Sequence, residues 1–284
     1  MSIKIIADST CYLPQEYIDK YKISIASLNV LINGNSYRET DLSNDWFYNE
    51  MAKSSTIPTS SQPSIEELYN IVESIVKNGD DVVGIFLSSD MSGTFSTSNL
   101  VKNMIIENYP NAKIVMIDSR SNCMQAGFAV LEAAKAANEN KSLDEVVSIA
   151  KNVIKNSKFI FVPETLDYLK KGGRIGRLAG TVGELLNLKH IITTDEDGVF
   201  YNVVKVRGRK QSLSKMTELL KGYLAKGKCE VAVLHAGCED EAIKYMNSLK
   251  DLTNVVSIKI AEISPSLGIH GGPGLMGFSV KMVK

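Results

Sequence analysis

Short apolar runs that end in polar residues recur along the first half of this chain, and helical patterns separate them. The runs span residues 3–7, 82–87 and 113–117, and the polar residues that follow them span 8–10, 88–94 and 118–119. An uninterrupted apolar run of this length is typical of a strand that is buried on both faces. Because such strands alternate with helices, the sequence predicts a mostly parallel sheet with helices packed on its faces.

Capping residues, alternating polarity and turn signals predict the remaining elements. Two hairpins are predicted, one over residues 27–40 with a turn at Asn33-Gly34, and one over residues 189–206 with a turn at Asp195 to Gly198. Residues 59–64 and 269–274 are predicted as loops. Helices are predicted over residues 14–21, 46–53, 65–77, 94–107, 126–138, 142–156, 165–171, 178–188, 211–225 and 239–249, and further strands over residues 158–162, 231–235, 255–260 and 275–283.

The order of these elements indicates an α/β fold with two α/β domains. A length of 284 residues suits two domains of ordinary size or a single large one. We place the boundary near residue 157, which gives an N-terminal α/β domain over residues 1–157 and a C-terminal α/β domain over residues 158–284. The last strand could pair with either sheet.

The composition argues against several classes of function. Lys plus Arg and Asp plus Glu number 32 each, so no overall field favours nucleic acid or an anionic membrane surface. The four cysteines form no Cys-x-x-Cys pair and have no histidine at metal-ligand spacing, which indicates free thiols and no metal site. No apolar run approaches the roughly 18 residues of a membrane helix, and the N-terminus lacks a signal-peptide pattern. We therefore expect a cytoplasmic protein with no stable membrane insertion and no nucleic-acid partner.

Three short stretches of small and hydroxyl-bearing residues are candidates for a binding site. They span residues 58–64, 92–96 and 269–274, and the last contains His270 followed by Gly-Gly-Pro-Gly. Glycines let a backbone approach a ligand closely, and a histidine ring nitrogen can meet an anion near neutral pH. A tight turn with an exposed His270 is the simpler interpretation of the last stretch alone. Because three such stretches occur in one chain, we predict a shared polar pocket.

Ser92 and His270 could instead form a nucleophile and its general base, with Asp8 or Asp118 as the orienting carboxylate. The chain contains no nucleophile elbow, no phosphate-binding loop and no dinucleotide-binding fingerprint to support an enzyme of a standard class. His190 and His235 lie in strand patterns and are interpreted as structural residues.

One set of basic residues could meet an anionic partner or a phosphate. It consists of Arg207 to Lys210, together with Arg174 and Arg177. A charged run is more often a solvated face, so this pattern alone does not favour a partner.

The motifs occur together in an order that resembles the DegV family. The stretches that carry the resemblance extend over essentially the whole chain, and they are residues 3–10, 59–64, 88–94, 168–175, 206–209 and 270–274. The resemblance implies two α/β domains with a long-chain fatty acid buried between them. It also implies the fatty-acid-binding subunit of a bacterial fatty acid kinase. Such a subunit has no cofactor or nucleophile of its own, and it presents the carboxylate to a separate ATP-binding kinase subunit that forms the acyl phosphate.

The same resemblance assigns the site residues. The fatty-acid carboxylate is expected on Ser60, Ser61, Ser92, Gly93, Thr94, His270 and Gly271, whereas Arg174 and Arg207 are expected to meet the kinase or its phosphates. Serine stands at residue 60, where the family commonly has threonine. The first hydroxyl contact therefore stays open between Thr59, Ser60 and Ser61.

Physical chemistry agrees with this assignment. Burial of each methylene contributes about 0.8 kcal/mol, so a long acyl chain contributes on the order of 10 kcal/mol before the costs of binding. Serine hydroxyls and a histidine N–H then form charge-assisted hydrogen bonds to a carboxylate that is already ionised. Candidates for the apolar wall, each of which is more often plain core, are Phe95, Phe128, Phe161, Met276 and Phe278.

Two alternative functions remain. One is a serine hydrolase or acyl transferase that uses Ser92 and His270. The other is a carrier of a different apolar carboxylic acid, with no kinase in its pathway.

Overall fold

Two larger β-sheets and one small sheet frame the protein in a computed structural model, which describes residues 2–54, 56–181 and 188–283. The strands are β1 (Ile3–Asp8), β2 (Ser24–Ala26), β3 (Asn29–Ile32), β4 (Asn35–Arg38), β5 (Thr59–Ser61), β6 (Asp81–Phe86), β7 (Ile114–Asp118), β8 (Ser157–Val162), β9 (Leu188–Thr194), β10 (Phe200–Arg207), β11 (Cys229–His235), β12 (Val255–Glu262) and β13 (Met276–Met282). The helices are α1 (Gln15–Tyr21), α2 (Asn44–Lys53), α3 (Ile65–Lys77), α4 (Thr94–Asn108), α5 (Cys123–Asn138), α6 (Leu143–Lys155), α7 (Asp167–Lys171), α8 (Arg209–Leu224), α9 (Glu239–Leu249) and α10 (Pro265–Gly271). Short 3-10 helices cover Ser9–Cys11, Glu39–Asp41 and Gly176–Thr181.

The first sheet is parallel, with the strand order β2-β1-β6-β7. Its central strands bury apolar side chains on both faces, and Ile5, Ile6, Val82, Val83 and Ile85 are all buried. The prediction of a parallel sheet is confirmed, although the sequence does not indicate strand β2, which has only three residues. Because β2 and β6 pair with opposite edges of β1, the strand order reverses there, and such points in parallel sheets commonly form a binding crevice.

The small sheet is antiparallel, with the order β4-β3-β5, and it contains the predicted hairpin around Asn33-Gly34. Its third strand corrects the prediction of a loop at residues 59–64, because Thr59–Ser61 pairs with β3. Three hydroxyl-bearing residues give no strand signal in the sequence. The strand forms because β3 has an unpaired edge. This pairing is a tertiary contact, which local sequence propensity does not predict.

The second sheet is mixed, with the strand order β10-β9-β8-β13-β11-β12. The last strand of the chain, β13, lies between β8 and β11 and is antiparallel to both. It therefore belongs to the second sheet, which settles the choice that the sequence left open. The first sheet ends at Asp118 and the second begins at Ser157. The domain boundary near residue 157 lies at the start of the second sheet and stays a prediction.

Helix α5 packs between the two larger sheets. It contacts β1 of the first sheet and both β8 and β13 of the second sheet. Every residue from Cys123 to Leu131 is buried, and the same hydrophobic cluster includes Val83 from the first sheet and Leu234 from the second. The two sheets thus share one core.

The predicted helix over residues 178–188 is wrong at both ends. The chain forms the 3-10 helix Gly176–Thr181, and strand β9 begins at Leu188, while residues 182–187 lie outside the described part of the chain. The predicted loop at residues 269–274 also needs correction, because His270 lies in the last turn of α10. The other predicted helices and strands are confirmed, with ends displaced by a few residues.

Gly277 in β13 is required where the strand passes close to Phe159 and Phe161 of the neighbouring strand β8. A Cβ at residue 277 would lie 2.8 Å from Phe159 Cε2 and 2.9 Å from Phe161 Cβ. We expect Gly277→Ala to lower the free energy of unfolding by roughly 1–3 kcal/mol, because the added methyl overpacks the sheet. Urea unfolding measures the change. Gly222→Ala in α8 is the control, since a Cβ there meets no atom within 4 Å, and equal stability losses in the two variants would contradict this explanation.

Candidate functional site

A cavity of about 250 Å³ lies between the two larger sheets, at the N-terminal end of α5. The first sheet contributes loops that follow the carboxyl ends of β6 and β7, as expected at a strand-order reversal. Its polar lining consists of Ser60, Ser61, Gln62, Ser92, Gly93, Asn122, Arg174, Ser266, His270 and Gly271. Its apolar lining consists of Leu28, Leu87, Met91, Cys123, Phe159, Phe161, Leu169, Phe200, Ile263, Leu267 and Leu275.

A hydrogen bond between Ser60 and His270 joins the two sides of this cavity. Ser60 Oγ lies 2.9 Å from His270 Nε2, and the two residues are 210 positions apart in the chain. Ser60 is on β5 of the small sheet, and His270 is on α10. The other ring nitrogen, Nδ1, is buried without a hydrogen-bond partner among the described residues. A Cβ at Gly172 would lie only 2.1 Å from Nδ1, so the absence of a side chain at Gly172 makes room for the ring.

Burial and the nearby charge of Arg174 lower the pKa of His270 to about 4. The imidazole is therefore neutral at pH 7 and carries one N–H. When that hydrogen is on Nε2, the ring donates to Ser60 Oγ, and the Ser60 hydroxyl hydrogen is free to point into the cavity. The pair can then act as an oriented donor to an anion.

Arg174 places a positive charge in the cavity wall. Its Nε donates to the Met91 carbonyl oxygen at 3.0 Å, and its Nη1 donates to the Gly172 carbonyl oxygen at 2.7 Å. These bonds fix the guanidinium across the gap between the first sheet and α7. The resemblance assigned Arg174 to contact with the kinase or its phosphates, which stays a prediction, and the structure places its guanidinium in the cavity wall near His270. Arg207, the other residue of that prediction, is exposed at the end of β10 and does not line the cavity.

Ser92 and Gly93 line the cavity, and Thr94 lies behind them. Ser92 Oγ is 2.9 Å from Thr94 Oγ1, and Thr94 is fully buried at the start of α4. Its hydroxyl can donate to Ser92 Oγ and leave the Ser92 hydrogen for a ligand. The predicted residues Ser60, Ser61, Ser92, Gly93, His270 and Gly271 therefore share one cavity, with Thr94 as the support of Ser92.

The structure does not assemble the Ser92–His270 pair of the alternative hydrolase hypothesis. His270 bonds to Ser60, and Ser92 bonds to Thr94. Asp8 accepts from the Thr10 hydroxyl and from the Leu87 N–H, and burial raises its pKa to about 6. Asp118 accepts from the backbone N–H of Arg120 and pairs with its guanidinium. Neither carboxylate orients the His270 ring.

Glu39 supports the site, although the sequence analysis did not identify it. This carboxylate is only 3% exposed. Its Oε1 accepts from the Ser266 backbone N–H at 2.8 Å and from the hydroxyls of Ser264 and Ser266, and its Oε2 accepts from the Ser9 hydroxyl. Glu39 thereby holds the first turn of α10, and α10 carries His270 in its last turn. Nothing in its local sequence indicates this role, because all the donors on α10 are more than 200 residues away.

The aromatic wall is only partly the predicted one. Of the five apolar candidates, Phe161 lines the cavity, whereas Phe95, Phe128, Met276 and Phe278 do not. Phe159 stacks on Phe161 with ring centroids 5.0 Å apart, and Phe200 meets Phe161 edge-on at 5.2 Å. Phe159 is two residues from Phe161 in β8, so strand alternation places both rings on one face.

Four further predictions concern the other histidines, the cysteines, a metal site and a membrane helix. His190 Nδ1 lies 2.9 Å from Asn202 Oδ1, and His235 Nδ1 accepts from the Cys238 N–H at 3.4 Å. All four cysteines are free thiols, as predicted. Within the described ranges, no group of three or more His, Cys, Asp or Glu side chains could hold a metal ion. No described helix has the length and apolar character needed to cross a membrane.

Comparison with known proteins gives the same family along the whole chain. Residues 2–282 match the family model described as "Uncharacterised protein, DegV family". A DegV domain-containing protein of Clostridium perfringens is 44% identical over 280 residues, which are 98% of each chain.

Solved structures show the same fold. The crystal structure of DegV from Bacillus subtilis, described as a fatty acid binding protein, has a TM-score of 0.90 and 31% identity, and the match covers 100% of both chains. A stearic-acid-binding protein from Eubacterium ventriosum has a TM-score of 0.90 and 26% identity, and the match covers 99% of this chain and 98% of that one. These similarities confirm the predicted α/β fold.

The lowered pKa of His270 predicts a pH dependence of stability. The folded-state pKa of about 4 lies below the ordinary value of 6.5. The unfolded chain therefore binds a proton more readily, so the stabilising contribution is complete above pH 6.5 and is lost as the pH falls to 4. We expect roughly 3 kcal/mol from this residue, since each pKa unit corresponds to about 1.4 kcal/mol.

Urea unfolding of the ligand-free protein between pH 7.5 and pH 4 measures this contribution. The His270→Gln variant should show a shallower loss of stability on acidification than the wild type, while all other titrating groups are shared. Parallel stability curves for the two proteins would show that His270 has an ordinary pKa.

Proposed function

The chain belongs to the DegV family, and from that premise we propose that it binds one long-chain fatty acid in the cavity between its two larger sheets. The observation that carries this proposal is the composition of the cavity wall. Most lining side chains are apolar, and the polar ones include the Ser60–His270 pair and a fixed guanidinium, Arg174. The fatty-acid-binding relatives with the same fold support it.

The apolar wall supplies the affinity in this proposal. Each buried methylene contributes about 0.8 kcal/mol, so a chain of 16 to 18 carbons contributes on the order of 10 kcal/mol before binding costs. Three aromatic rings, those of Phe159, Phe161 and Phe200, are part of this wall. The head group then needs only enough hydrogen bonds to compensate for the desolvation of one carboxylate.

The carboxylate lies at Ser60, Ser92 and Arg174 in this proposal. The Ser60 hydroxyl, oriented by His270, donates to the carboxylate, and so does the Ser92 hydroxyl, which Thr94 orients. The charge of Arg174 favours the ionised acid, for the same electrostatic reason that it lowers the pKa of His270. Ser61, Gly93 and Gly271 complete the wall around the head group.

We further propose that the chain is a substrate-presenting subunit in the cytoplasm. A separate ATP-binding kinase subunit would transfer the γ-phosphoryl group to the presented acid. A carboxylate oxygen forms the new P–O bond while the bond to ADP breaks, so the products are acyl phosphate and ADP. A carboxylate is already ionised at neutral pH and needs no general base, so this chain supplies no catalytic residue.

Replacement of the Ser60 hydroxyl should weaken fatty acid binding. We expect Ser60→Ala to raise the dissociation constant for stearate 10- to 100-fold, because one hydrogen bond to a charged group is lost. Displacement of a fluorescent fatty acid from delipidated protein measures the constant. Thr59→Ala is the matched control, because Thr59 is the exposed neighbour on the same strand and does not line the cavity.

Mass spectrometry of an organic extract of the purified protein gives an independent result. About one equivalent of a C14–C18 fatty acid is expected. A protein that is empty and also fails to take up added fatty acid would overturn the binding proposal and favour another apolar acid. Stoichiometric labelling of Ser60 or Ser92 by a fluorophosphonate would instead favour a hydrolase.

Arg207 tests the kinase proposal separately. We expect Arg207→Ala to lower acyl-phosphate formation at limiting kinase while the fatty acid stays bound, because Arg207 is exposed and lies outside the cavity. Lys221→Ala is a matched control, since Lys221 is an exposed cation on α8 about 18 Å from the start of that helix. Equal turnover by the Arg207→Ala protein and the wild type would contradict the predicted kinase contact.

A further inference from the structure

Asn122 brings an unsatisfied amide to the wall of the cavity. The residue is 4% exposed and lines the cavity. Its Oδ1 is buried and has no hydrogen-bond partner among the described residues. Its Nδ2 lies 3.4 Å from the Met91 sulfur, and a thioether is only a weak acceptor. A buried amide in this condition is less stable than one whose polar atoms are all hydrogen-bonded.

The orientation of the amide does not remove this deficit. The oxygen and nitrogen of an asparagine side chain can be exchanged by a rotation of the terminal amide. If the oxygen faced Met91, the NH₂ group would take the place where Oδ1 now lies without a partner. In either orientation, one polar end of Asn122 is unpaired.

The fold gives Asn122 no structural role that explains its amide. Asn122 is the N-cap residue of α5, a position where an asparagine oxygen ordinarily accepts from a backbone N–H of the first turn. Here the side chain makes no such bond. Cys123, the next residue, has a left-handed backbone with φ of 53°, so the entry to the helix differs from a regular cap. Because Asn122 lines the cavity, its side chain lies next to whatever occupies that space.

Met91 connects Asn122 to the head-group region. The Met91 sulfur touches Asn122, and the Met91 carbonyl oxygen accepts from Arg174. Ser92 follows Met91 in the chain and lines the same cavity. The Met91 residue therefore links the Asn122 amide, at its sulfur, to the Arg174 guanidinium, at its carbonyl oxygen. Asn122 makes no hydrogen bond to Ser60 or His270.

We propose that Asn122 forms a second polar subsite, which binds a hydroxyl group on the acyl chain of a hydroxylated long-chain fatty acid. This inference rests on the proposed fatty acid binding. A plain methylene chain leaves the amide unpaired, whereas a hydroxyl both donates and accepts and so pairs with either orientation of Asn122. The hydroxyl strengthens binding only when it is attached to the carbon that lies beside Asn122. A hydroxyl at any other carbon would be buried against apolar side chains.

A positional series of ligands tests this subsite. Delipidated protein is titrated with stearate and with 2-, 3-, 10- and 12-hydroxystearate in competition with a fluorescent fatty acid. We expect the wild type to bind one isomer at least 10-fold more tightly than the other hydroxystearates. Asn122→Leu, of similar size, should lose that preference and bind stearate at least as well as the wild type. Thr59→Ala is the control and should keep the isomer preference, because Thr59 is exposed and does not line the cavity.

The outcomes separate the two proposals. Stearate binding with equal, weak binding of all hydroxystearates would overturn the Asn122 subsite and leave fatty acid binding intact. An isomer preference that persists in Asn122→Leu would also overturn it. Failure of stearate and of every hydroxystearate to bind would overturn both proposals. If Asn122→Leu does not fold, the isomer preference of the wild type and Asn122→Ala decide the question.

Discussion

The packing of helix α5 between the two larger sheets is the constraint on which the site depends. A helix that touches a sheet on each side must be apolar around most of its circumference, and small side chains let both sheets approach. The sequence of α5 meets both conditions, with Ala126, Ala129, Ala133 and Ala134 buried along its length. The helix begins only at Cys123, so the space beyond its N-terminus is not filled by helical side chains. The cavity lies at that end.

Polar contacts close this space from two sides of the molecule. Ser60 and Met91 belong to the first part of the chain, and they bond to His270 and Arg174 from the second part. Glu39 adds a third contact across the same gap through the first turn of α10. Because Ser60, Met91, His270 and Arg174 also line the cavity, the geometry of the head-group site and the approach of the sheets are coupled. A change that separates the two sheets would also move the hydrogen-bond donors of Ser60, His270 and Arg174 apart.

The sequence predicts the elements that are long and periodic, and it misses those that exist only through tertiary pairing. The strands of the first sheet follow from their apolar runs, and α3 and α6 follow from their capping residues. Strand β5 and helix α10 are too short to carry a periodic signal, and each is held by a distant partner, β3 and Glu39 respectively. The sequence grouped the hydroxyl residues and His270 correctly into one cavity. It could not show that His270 bonds to Ser60 rather than Ser92, because contacts between residues 210 positions apart have no local signature.

The charges around the cavity favour one kind of occupant. Arg174 carries a permanent positive charge, and His270 is neutral at pH 7 because burial and that same cation oppose its protonation. The cavity wall therefore presents one cation and several neutral donors, which complements a ligand with a single negative charge. A neutral ester or alcohol would leave the guanidinium without a counter-charge, and a protonated acid would lose the charge-assisted hydrogen bonds. The electrostatics thus support the proposed ligand, which is an ionised monocarboxylic acid.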